Sequence, residues 1–241
     1  MLIASGQYTD AATGTLVAVT VRRSARRFSA RWVDSGTLRV TVPAGTTDKS
    51  FARVMDSWWP QLLTSRPQAR YHNGQQWTFD CFSVTIVEDD ECRAHTGALR
   101  LKAVKRADSS YVITVPHGLV ESAEQNIGLL MCRIAHIVAR KVLIAEAWAT
   151  ADSLGVHPAA WSLSRGRRIL GHCNARGEIA LSSALMFMPA DLRRYVIAHE
   201  LAHLSHMDHS PAFHSLLDRY LDGREKALVR KLHAFAWPVP R

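Results

Sequence analysis

Between positions 15 and 43 apolar and polar residues alternate, in segments rich in Val and Thr. A period of two predicts short antiparallel strands, with Ser35-Gly36 as a turn between two of them. Thr47 to Thr64 then reads as a helix, with Trp58 and Trp59 near its end and Pro60 at a kink or stop. The tryptophan pair is expected to supply buried area rather than a stacking surface for bases. Tyr71 to Gly74 is a turn, and strands recur over Trp77 to Val87, Ala98 to Val104 and Tyr111 to Val115. The character changes at Pro116-His117-Gly118. From Glu121 to Leu154 the apolar positions fall at helical spacing, among them Leu129, Ile134, Ile137, Val142, Ile144 and Trp148. One long helix or two end to end both satisfy that pattern, and Gly155 is a stop signal. A hairpin is expected at 161–182, turned near Gly166 or at Asn174 to Gly177. After Pro189, with Asp191 in the first turn, Leu192, Val196, Leu201 and Leu204 form another helical stripe. Ser210-Pro211 opens a further helix as an N-cap followed by proline, and a closing helix starts near Arg224.

These elements predict an α+β fold. A β-rich module over 1–118 precedes a helical module over 119–241 that carries a short hairpin ahead of the histidine-rich helix. No internal repeat or low-complexity tract is visible.

Composition narrows the class. With 241 residues, 47% hydrophobic content and seven tryptophans, the chain can bury a sizeable core and is not of the disordered type. No run approaches twenty apolar residues, and Met1 to Ala18 lacks a basic start followed by an apolar core. No membrane segment or signal peptide is therefore expected, and the location expected is cytoplasmic. Cys81, Cys92, Cys132 and Cys173 show no metal-like pair spacing and read as reduced thiols. The net charge of +9 favours anionic partners, with Arg22, Arg23, Arg26, Arg27 and Arg31 in one cluster and Arg165, Arg167 and Arg168 in another. Nucleic acid, a nucleotide or an acidic substrate would suit that charge, and so would a merely solvated basic surface.

The candidate chemistry is concentrated in HELAHLSHMDHSPAFH, residues 199–214, which hold five of the twelve histidines. Residues four apart share a helix face, so His199 and His203 can point at one ion. Zinc suits neutral imidazole, a catalytic zinc site keeps one position for water, and Glu200 beside the first ligand could take that water's proton. The plain alternative is an amphipathic helix whose imidazoles are surface or packed side chains. A third ligand must come from His206, His209 or His214. Ligands at i, i+4 and i+7 of a straight helix span about 10 Å, too far for one ion, which disfavours His206. The Ser210-Pro211 helix start forces a turn around Met207 to His209 that can fold His209 back. His214, one turn into the next helix, is the weaker choice.

This segment resembles the signature of the SprT-like minigluzincins, most closely the YgjP-like metallopeptidase branch: His-Glu-Leu-x-His-Leu, a short spacer, then Asn/Asp-His-Ser-Pro and an aromatic residue. The resemblance implies zinc held by His199, His203 and His209, with Glu200 as general base. It extends more loosely to Ser164–Leu181, similar to the hairpin ahead of the family's zinc helix, where Leu170-Gly171-His172-Cys173 stands in place of a common Trp-Gly-Ser-Cys. Arg22 to Pro43 resembles the family's opening β-region. The resemblance further implies a strand along the active-site cleft whose edge pairs with an extended substrate, with residues around His172 to Ile179 as candidates.

The resulting expectation is zinc-dependent hydrolysis of peptide bonds in a peptide or protein substrate, with His172, His206 or Tyr195 as oxyanion donor. Two rivals keep the metal. In one, the activated water attacks phosphorus in a nucleotide or phosphoester held by the arginines. In the other, the metal only stabilises a nucleic-acid-binding module, and that reading leaves Glu200 without a task.

Overall fold

The computed structural model describes residues 1–89, 101–106 and 109–240. The protein is α+β, with a β-rich N-terminal region followed by helices. Contacts divide it into two compact units: Met1–Gln75, Ile86–Lys102 and Ile113–Ile127 form one, and Gln76–Thr85, Ala103–Val112 and Gly128–Arg241 the other.

In the first unit, β1 (Gly6–Thr9), β2 (Leu16–Arg22), β3 (Ser29–Trp32) and β4 (Thr37–Pro43) form a sheet of order β1-β2-β4-β3. The antiparallel expectation fails for one pair. β2 and β4 run parallel, with Val17 opposite Leu38 and Val19 opposite Val40, while β3 is antiparallel to β4 at the sheet's edge. The alternation of apolar residues marks which face is buried but is the same read in either direction. Burial decides the order: Val17, Leu38, Val40 and Val42 are fully buried, so the two most apolar strands lie side by side. Helix α1 (Asp48–Thr64) covers that face with Phe51 and Met55, and the Thr47 hydroxyl accepts from the Ser50 N–H at 3.2 Å as its cap. The stop that the sequence allowed at Pro60 does not occur: its missing N–H falls on an exposed part of the helix, which runs on to Thr64.

A second sheet has order β5-β6-β8-β7, from β5 (Gln76–Thr78), β6 (Ser83–Glu88), β7 (Lys102–Lys105) and β8 (Ser110–Val115). Residues 98–100 of the expected strand, and Cys92, lie outside the described residues.

The long apolar run is two helices, α2 (Glu124–Ala139) and α3 (Val142–Leu154), and Gly155 ends the second at φ 66°. The expected hairpin at 161–182 is a three-stranded sheet of order β10-β11-β9, built from β9 (Ala160–Ser164), β10 (Gly171–Cys173) and β11 (Glu178–Ser182). Only β10 and β11 form a hairpin, turned at Asn174–Gly177, while β9 runs parallel to β11. The physical reason is again burial. Ile179 and Leu181 are fully buried, so β11 takes the centre, and 165–170 carries the chain across to its far side. A 3-10 turn, Ser183–Phe187, leads into α4 (Ala190–Ala202), α5 (Pro211–Tyr220) and α6 (Glu225–His233).

Helix α4 is anchored by its own arginine. Arg193 is 2% exposed; its Nε and Nη2 donate to the two oxygens of Glu146, both at 2.7 Å. Its Nη1 donates to the Met188 carbonyl at 2.7 Å and to Asp80 at 3.1 Å. A fork with each face paired is the geometry in which a buried guanidinium is tolerated. Among the described residues no helix is long and apolar enough to cross a membrane.

Candidate metal centre

The last turn of α4 presents His199 and Glu200, and His203 is its C-cap. Beyond it, Ser205 and His206 fold back by N–H bonds to the Ala202 carbonyl, at 3.1 and 3.0 Å. The chain then turns until the Ser210 hydroxyl caps α5 by accepting from the Phe213 N–H. That turn returns His209 to the helix face. One ligand atom from each of His199, His203 and His209 lies within 4.8 Å of the others, and the Nε2 atoms of His199 and His209 are 3.2 Å apart. Phe213 backs all three. Its ring is fully buried, with its centroid 4.9, 4.6 and 4.9 Å from those of His199, His203 and His209.

The other candidate ligands go elsewhere. His206 contributes its carbonyl, which accepts from His203 Nδ1 at 3.0 Å. His214 turns its Nδ1 to Glu225, 2.6 Å away, with its ring centroid 6.4 Å from that of His209.

The triad fits a metal ion by its chemistry. Burial, and then the neighbouring His203, His209 and His214, push His199 down to about 4. Burial likewise lowers His203. Neutral imidazoles keep a lone pair for a cation. His203 carries its proton on Nδ1, toward the His206 carbonyl, so Nε2 is its ligating atom; this outer-sphere bond fixes the ring. Two Nε2 atoms at 3.2 Å, together with a buried His199 Nδ1 that has no hydrogen-bond partner, make a site poorly satisfied by protein alone.

Glu200 is 5% exposed, and burial raises its carboxyl to about 7, opposed by hydrogen bonding from the Cys173 backbone. It lies against β10. A methyl group built on Gly171 would stand 2.5 Å from Glu200 Cγ and 2.6 Å from its Cδ. Tyr195 is 8% exposed, its ring centroid 6.0 Å from that of His199. Burial, then the charges of Glu225 and Glu200, raise its hydroxyl, so the proton stays on. His172 is exposed on β10 and lowers His203 through its charge. β11 is paired on both sides, so the substrate-edge expectation around His172 to Ile179 narrows to the outer edge of β10. Cys81, Cys132 and Cys173 are free thiols. Burial, then the nearby Glu200 charge, raises that of Cys173, which keeps it protonated and disfavours it as a ligand.

Sequence reasoning missed three supporting residues. Gly171 left a signal, since a glycine inside a strand marks close approach. Phe213 stands at the aromatic position that closes the signature, though nothing in the sequence assigns that position its task of backing the imidazoles. Arg193 left no signal, because an arginine in a polar stretch reads as exposed.

Over residues 26–234 the chain matches the family described as YgjP-like, metallopeptidase domain. Among solved structures it is similar to the metallopeptidase zymogen of Pyrococcus abyssi abylysin. The identity is 20%, over 38% of this chain and 91% of that one, with a TM-score of 0.34. No curated protein matches.

Proposed function

The chain belongs to the YgjP-like metallopeptidase family, and we propose that it hydrolyses peptide bonds with zinc held by His199, His203 and His209 and with Glu200 as general base. The observation that carries this reading is the convergence of three imidazoles within 4.8 Å, beside the helix turn that also presents the buried carboxyl of Glu200. Zinc bound there would polarise the scissile carbonyl and acidify a water. Glu200 takes the water's proton on a carboxylate oxygen and returns it to the leaving amine; in the metal-free fold burial holds its carboxyl at about 7. A cation at the triad would shift that value back down. The Tyr195 hydroxyl, which stays protonated, is the donor best suited to the developing oxyanion. The outer edge of β10 holds the substrate backbone extended beside Glu200.

Elemental mass spectrometry on the purified protein and on His209→Ala tests the ligand set. The expected result is about one zinc per chain, largely lost in the variant. Glu200→Gln should retain the metal and lose peptide turnover. Wild-type protein that takes up no stoichiometric metal, or a fully active Glu200→Gln, would overturn the reading.

A further inference from the structure

Beside the metal centre, the crossing from β9 to β10 forms one wall of a cleft of about 1040 Å³, lined by Arg165, Arg167, Arg168, Ile169, His172 and Ala180 among others. Three arginines line this cleft, and no Asp or Glu does. Arg165 and Arg168 are exposed, and Arg167 lies against the Cys132 thiol. Among the described residues no carboxylate pairs with any of the three. Elsewhere in this unit cations do have partners, as Arg193 has Glu146 and Lys231 has Asp191.

The loop is held in place. The Ser182 hydroxyl donates to the Gly166 carbonyl, the Ser183 hydroxyl donates to the Ser164 carbonyl at 3.1 Å, and the Ser182 N–H donates to the Leu170 carbonyl at 2.8 Å. Both serines are buried, so the arginines stand on a preorganised turn. The cleft also joins the chemistry. His172 lines it, and its β10 neighbour Gly171 abuts Glu200.

We propose that this cleft binds the acidic side chains of an extended peptide whose backbone pairs with the open edge of β10. The inference rests on the peptidase reading above and names its substrate class: peptides carrying Asp or Glu within a few residues of the bond to be cut. Arginines with no carboxylate partner among the described residues, on a fixed turn, suit carboxylates and favour association by field as well as by contact. A polynucleotide strand would ask for stacking surfaces, and the cleft is lined by no Phe, Tyr or Trp. Peptide backbone, by contrast, is what an unpaired strand edge recognises.

Fluorescence anisotropy on the full chain carrying Glu200→Gln, with zinc in the buffer, reads binding without cleavage. The probes are a labelled Ala/Glu nonapeptide, the same peptide with Gln for Glu, and an oligothymidylate. The acidic peptide should bind about tenfold tighter than its Gln counterpart at low salt, the size that three largely exposed ion pairs sum to. The preference should shrink as salt rises. Arg165→Glu with Arg168→Glu, both exposed, should abolish or reverse it. Equal affinity for the two peptides overturns the proposal, as does tighter binding of the oligothymidylate. Cleavage of the same peptides by wild type is read separately. An acidic preference in binding without cleavage would leave the cleft assignment standing and remove the peptidase reading.

Discussion

Glu200 and His199 are adjacent in sequence, and burial shifts their protonation in opposite senses. For Glu200 the metal-free fold raises the carboxyl from 4.5 to about 7. Between those values the folded chain keeps a proton that the unfolded chain has released, so stability is lost as pH rises across the window. For His199, lowered from 6.5 to about 4, the unfolded chain takes the proton first, and stability is lost as pH falls through that range. Thermal melts in chelator should therefore show Glu200→Gln gaining on wild type from pH 4.5 to pH 7, by no more than about 3 kcal/mol, and holding constant above. A difference independent of pH would contradict the buried-carboxyl account. Gly171 offers a second test. A side chain there evicts Glu200 from its place against β10, and an ångström of misplacement can cost about a hundredfold in rate. Gly171→Ala should keep its metal on elemental analysis while turnover falls by roughly that factor.

The elements around the site differ in how far the sequence exposes them. α4 depends on Arg193, whose buried guanidinium holds Glu146, Asp80 and the Met188 carbonyl together. Arg193→Leu leaves those acceptors unpaired and should lower the stability read from urea melts by about 3 kcal/mol. Phe213, on α5, is the common backing of the three imidazoles. Phe213→Ala should cost about 3–5 kcal/mol and weaken metal retention against a competing chelator. Neither role was legible in the chain. The triad was, because His199 and His203 carry the period of the helix that presents them, and Ser210-Pro211 announces the break that returns His209. The two long helices and their stop at Gly155 were legible for the same reason: their signals are local. The direction of β2 against β4 and the crossing between β9 and β10 were not, since alternation is symmetric under reversal and pairing is settled by which strands are most apolar.

For the whole molecule, a ligand that binds the folded state protects what it touches. Hydrogen exchange with and without zinc should slow in α4, α5 and the turn between them, and should be unchanged in β2 and β4, whose core of Val17, Val19, Leu38, Val40, Val42, Phe51 and Met55 holds none of the proposed ligands. Uniform protection across both units would contradict that assignment. The turn that brings His209 back has a last consequence. Met207 is 56% exposed, and the stretch around it is the most accessible part of 199–214. An ion shared by His199 and His209 would act as a reversible crosslink closing a ten-residue loop, and such a clip does not need the loop to stay intact. A protease nick near Met207 would then leave both fragments fastened by the ion as well as by their packing, and chelating the zinc should let them part at a lower concentration of urea.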